Sequence, residues 1–144
     1  MGGCSFWYST MISAQELQQS LKHFTSTDNY YRHLLGIRYT DGVQYLAEEA
    51  QCYWLIDVIA SYQTKKLLAD KMLKDFQLWY LMVGEEHEFI KPKPHNQAVV
   101  TCWGDTPNVG IKPPVRQDID FTDFPLSEIK LFLVQGVLML PGEY

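Results

Sequence analysis

The stretch NYYRHLLGIRYTDGVQYLAEE, residues 29–49, brings Tyr31, Arg32, His33 and Asp41 close together along the chain. These types match a proton donor, an anion clamp, a general base and an orienting carboxylate, the groups that hydrolysis or phosphoryl handling requires. No periodicity turns His33 toward Asp41, however. The competing reading is structural: Tyr30 and Tyr31 pack their rings on a following helix, while their hydroxyls and Asp41 satisfy backbone groups of the loop. We expect the structural reading to hold.

A second chemistry is anion binding. Gly42, just inside a helix start, would let a ligand approach backbone N–H groups at the positive helix end, with Arg32 and Arg38 adding charge-assisted bonds. Asp41 counts against it, because its own carboxylate sits in that field. His23, His33, His87 and His95 are scattered, and EEHE at 85–88 lacks a partner at metal-ligand spacing, so no metal is expected. The chain has no Walker-type glycine loop, GxSxG elbow or dinucleotide fingerprint, so no cofactor is expected either. Asp57 interrupts the apolar run YWLIDVIA and would need a partner if buried.

The elements that must position these residues read as helices first and strands after. Ser13 and Glu16 form a capping box ahead of Leu17, Leu21 and Phe24, predicting a helix over about 14–23. TSTDN then turns the chain, and residues 29–40 form a connector. Asp41 with Gln44 offers a second capping box, and Val43, Leu46, Ala47, Ala50, Trp54 and Val58 recur at helical spacing, predicting one long helix to about Tyr62. KKLLADKMLKD predicts a short third helix. FQLWYLMV, QAVVTCW, RQDIDF, IKLFLV and VLML read as strands, with a two-residue hairpin at Gln135–Gly136. The expected class is α+β: N-terminal helices packed on one face of a C-terminal antiparallel sheet of about four to five strands.

A chain of 144 residues fits one domain, expected over 13–144, with residues 1–12 as an arm or an extension ahead of Met11 whose Phe6, Trp7 and Tyr8 dock on the fold. A composition 47% apolar and 14% aromatic can bury a core. The formal charge of −5 argues against a nucleic-acid partner, since phosphate neutralisation needs cations. Cys4, Cys52 and Cys102 show no paired spacing and read as free thiols in a reducing compartment. No apolar run reaches membrane-spanning length and no export signal opens the chain, so the expected location is the cytoplasm.

FTSTDNYYRH, YTDGVQYLAEEA, YWLIDVIASYQ, FTDFPL and LPGEY together resemble a family of short bacterial and mobile-element proteins known only as a domain of unknown function, over about residues 11–144. The resemblance implies a single small domain in bacteria, plasmids or phages, with no catalytic residues to carry over. An acidic, aromatic-rich domain of this kind suits covering a basic surface of another protein, in regulation or counter-defence. Self-association through an exposed VLML or FQLWYLMV strand, giving a homodimer, is a further expectation. A small hydrolase or anionic-ligand domain using Tyr31, Arg32, His33 and Asp41 is the alternative.

Overall fold

The structure is a computed structural model that describes residues 13–85, 87, 90–107 and 110–144. The expected arm over 1–12, with Cys4, Phe6, Trp7 and Tyr8, lies outside the described residues, as do Glu86 and Glu88 of EEHE.

Helix α1 spans Ala14–Leu21, and the Ser13 hydroxyl accepts from the Glu16 N–H, so the Ser13 half of the expected capping box forms. The connector then makes two short strands that periodicity did not reveal, β1 at Tyr30–Arg32 and β2 at Arg38–Thr40. The long second helix is corrected to two, α2 at Asp41–Glu49 and α3 at Tyr53–Ser61. Gln51 separates them with a left-handed φ of 55°, a conformation incompatible with helix continuation. The cap of α2 is also corrected: the Thr40 hydroxyl, not Asp41, accepts from the Val43 N–H. KKLLADKMLKD likewise divides into α4 (Lys65–Leu68) and α5 (Lys71–Asp75), because Asp70 caps a new helix start through the Met72 N–H.

The remaining strands are β3 (Phe76–Val83), β4 (Ala98–Trp103), β5 (Val115–Ile119), β6 (Glu128–Val134) and β7 (Val137–Met139), followed by a 3₁₀ turn at Pro141–Glu143. Together the described strands form one seven-stranded sheet in the order β1-β2-β7-β6-β3-β4-β5. The fold is α+β, but the sheet is larger than expected and mixed, since β2 runs parallel to β7. The two connector strands extend it beyond the C-terminal meander. VLML and FQLWYLMV are both internal, so neither supplies a free edge.

The helices cover one face. Leu46, Leu55 and Ile59 meet Trp79, Leu81, Val100, Leu131 and Leu138 in the main core, where each fully buried large apolar side chain contributes about 2 kcal/mol. Strands β3 and β4 are buried on their opposite face as well, through Leu78, Tyr80, Met82, Val99 and Trp103. Burial on both faces explains why FQLWYLMV is continuously apolar. Gln77 is one of three buried polar residues among those described: its amide pairs reciprocally with Gln63, donates to the Leu73 carbonyl and accepts from Trp79 Nε1. That satisfies its donors and acceptor, as burial demands.

Candidate functional site

The β1–β2 hairpin carries most of the residues singled out by chemistry. Tyr31 opposes Tyr39 and Arg32 opposes Arg38. Leu138, the β7 partner of Tyr39, belongs to the helix-side core, so Tyr31 and Tyr39 face the helices and the two arginines face the other side of the sheet. The two tyrosine rings stack at 5.5 Å.

Asp41 opens α2 and gathers the preceding loop. Its carboxylate accepts from the N–H groups of Asp28 at 3.0 Å and Asn29 at 3.2 Å, from Asn29 Nδ2 and from the Tyr31 hydroxyl at 3.1 Å. The Asp28 backbone bond is the main reason its pKa lies below the usual carboxylate range. The hydrogen bond from the Tyr31 hydroxyl to Asp41 pushes Tyr31 upward, because a phenolate there would lose that bond and meet a like charge. Asp41 is thus a loop clamp.

His33 turns to a different carboxylate. Its Nδ1 accepts from the Leu35 N–H at 3.0 Å, which in the neutral ring places the proton on Nε2, where it donates to Asp57 Oδ1 at 2.7 Å. The imidazole ties the hairpin tip to α3. The tip is closed further by His33 N–H to the Ile37 carbonyl and Gly36 N–H to the His33 carbonyl, with Gly36 at φ 104°. Asp57 is exposed, so it needs no buried partner, and it gives the hairpin its anchor on the helix layer.

Tyr31, Arg32, His33 and Asp41 therefore separate into two structural pairs and an arginine on the opposite face. Both nitrogens of His33 are engaged. None of the four lines either of two larger surface clefts, one of about 460 Å³ beside Tyr62, Leu67 and Arg116 and one of about 500 Å³ beside Glu85, His87 and Glu128. Among the described residues, no group of three histidine, cysteine or acidic side chains is placed to hold a metal ion.

At the start of α2, beside Gly42, the chain places a carboxylate of its own. Glu143 Oε1 accepts from the Thr40 hydroxyl at 2.6 Å and the Leu140 N–H at 3.0 Å, and Oε2 accepts from the Gly42 N–H at 3.2 Å. A carboxylate at the start of α2 is favoured by the helix dipole and the exposed N–H groups. Periodicity carried no signal for Glu143; the LPGEY segment had attracted notice only through resemblance. Arg32 and Arg38 take no part.

The model of one protein family matches residues 15–144, which take in every element described above. The chain belongs to the family of unknown function DUF6876. The matched span of this DUF6876 domain includes both the Asp41 clamp and the Glu143 closure, so both lie within the family domain itself. No curated protein and no solved structure shows significant similarity to the chain. No helix of the described residues is long and apolar enough to cross a membrane.

Proposed function

We propose that this domain is a protein-binding, regulatory module whose contact point is the tip of the β1–β2 hairpin. One observation carries the reading: Leu34 is fully exposed and Leu35 is 62% exposed, side by side, on a tip held by four hydrogen bonds. A mobile tip could bury its leucines against its own fold. This one is kept from doing so by the His33 bonds to Asp57, Leu35 and Ile37. Two apolar side chains presented on a rigid, narrow projection suit insertion into an apolar pocket of a partner, where preorganisation lowers the cost of binding. Tyr30, 59% exposed at the base of the same hairpin, adds an aromatic contact.

The occupied nitrogens of His33 and the distribution of Arg32 and Asp41 into separate contacts favour this reading over hydrolysis. The test is affinity capture from the native host with the wild-type chain, a Leu34→Asp/Leu35→Asp variant and a Met72→Asp control, Met72 being exposed on α5. The reading expects a partner held by wild type and control and lost by the tip variant. Equal recovery of every captured protein by all three chains would refute it.

A further inference from the structure

We propose that a second copy of this chain pairs with β1, joining two sheets edge to edge about a two-fold axis through Tyr31. Among the described residues β1 is the terminal strand of the sheet, and the hydrogen-bond pattern shows which of its backbone groups no described strand claims. The His33 N–H bonds the Ile37 carbonyl at 2.8 Å, and bonded pairs alternate along an antiparallel ladder. Tyr31 is therefore bonded across to Tyr39, while Tyr30 and Arg32 direct their N–H and C=O groups away from β2. The Arg38 N–H bond to Gly136 on the far side agrees with that phase.

An unclaimed edge accepts an added strand, and the sequence of β1 selects an identical one. With the axis at Tyr31, Tyr30 lies opposite Arg32 of the second copy, and Arg32 opposite its Tyr30. All four outward backbone groups then find partners. The side chains match too. Arg32 opposes Arg38 within its own hairpin, an unfavourable like-charge pair with no salt bridge to either arginine among the described residues. Pairing gives each Arg32 the ring of an incoming Tyr30, a cation–π contact. Centring the axis on Arg32 would instead stack the two arginines. Centring it on Tyr30 would recruit Asp28, whose N–H is already bonded to Asp41 outside the strand. Only the Tyr31 register uses the strand as built. Because the strand is three residues long, the dimer is weak, and the −5 charge on each chain makes it tighten as salt is added.

This dimer shares Tyr30 with the partner surface above, but it uses the backbone edge and the tip leucines are not part of it, so the two readings fail separately. The register makes a cysteine test specific. Tyr31 would lie in a non-bonded pair with its symmetry mate, with Cα atoms about 4.5 Å apart, within disulfide reach. Positions 30 and 32 would each be displaced from their own mates by two residues, about 7 Å along the strand, and out of reach. In a Cys4→Ser background, mild oxidation should convert Tyr31→Cys to covalent dimer at least tenfold faster than Tyr30→Cys or Arg32→Cys. Sedimentation equilibrium on the unmodified chain should show a reversible dimer. Arg32→Pro, which removes an outward N–H that no strand of the sheet uses, should weaken that dimer at least tenfold while leaving the far-ultraviolet spectrum unchanged. A chain that stays monomeric at every concentration and salt level overturns the proposal. So does equal cross-linking at all three positions, or an Arg32→Pro dimer as tight as wild type.

Discussion

The Gly42 N–H and the Glu143 carboxylate, 101 residues apart in the sequence, meet at 3.2 Å at the start of α2. A methyl group on Gly42 would fall 2.5 Å from Glu143 Oε1 and 2.6 Å from Leu140 Cδ1. The glycine is needed for close approach.

Gly42→Ala should therefore destabilise the domain although alanine is the better helix former by about 1 kcal/mol. Glu143 would have to withdraw and give up its bonds to Thr40, Gly42 and Leu140, which outweighs the propensity gain and leaves a net loss of about 1–2 kcal/mol. Glu143→Ala should lose a similar amount and make the Gly42 substitution less damaging, since the clashing carboxylate is gone. Urea unfolding of the two single variants and the double variant measures that coupling.

Asp41 and Asp118 should govern the acid limb of stability. The pKa of Asp41 is lowered chiefly by the Asp28 N–H, and that of Asp118 chiefly by its hydrogen bond from Arg116. Folded values below the ordinary 3.8 mean that both groups stabilise the fold above that pH and cease to as pH falls through their folded values. Asp41→Asn and Asp118→Asn should each lower the melting temperature at pH 7 and flatten its fall between pH 4 and 2. A variant retaining the full wild-type acid slope would exclude that residue as a contributor.

What the sequence could reveal follows the range of the forces involved. β3 was readable to the residue because both its faces are buried, leaving an uninterrupted apolar run bounded by charge and Gly84. β1 and β2 were not, because three-residue strands carrying Arg32 and Arg38 on an exposed face show no alternation distinct from a loop. The helix break at Gln51 was hidden for a related reason: Ala50, Cys52 and Leu55 are all buried, so the apolar pattern runs through a change in backbone direction. The clamp role of Asp41 was anticipated in kind, since residue type and position suggested backbone satisfaction. The pairing of His33 with Asp57, and the meeting of Glu143 with Gly42, depend on tertiary placement that no local spacing encodes.

The Gln77 network offers a test of the core. Gln77→Leu preserves size but leaves the Trp79 indole N–H, the Leu73 carbonyl and Gln63 Oε1 without their partner, while Gln63 Nε2 keeps the Ile59 carbonyl. Each stranded buried group costs about 1–3 kcal/mol, so a loss of about 3 kcal/mol overall is expected in urea unfolding. Exchanging Gln63 and Gln77 together for leucine should cost less than the sum of the two single changes, because the pair is removed as a unit.

His33→Ala should act locally. Without the ring, the Leu35 N–H has no side-chain acceptor and Asp57 no longer anchors the tip, but global stability should fall by only about 1 kcal/mol, because the Asp57 carboxylate is solvated even though the His33 ring is mostly buried. Hydrogen exchange at Leu35 and Gly36 should quicken markedly while Trp79 and Leu81 keep their protection. Faster exchange throughout the sheet would show instead that the hairpin is part of the global folding unit.

Cys52 and Cys102 should report global opening. Burial pushes each thiol up to about 12, since a thiolate in the apolar core would be poorly solvated. A folded pKa above the ordinary 9.0 means that this contribution is fully present below pH 9 and is lost as pH rises toward 12. In a Cys4→Ser background, both thiols should resist alkylation at pH 8 and react at a rate set by unfolding, so that Gly42→Ala and Gln77→Leu accelerate labelling by about tenfold for each ~1.4 kcal/mol of stability they lose. Rapid labelling of either cysteine in the stable native chain would mean that the helix layer opens locally over it, without the domain unfolding.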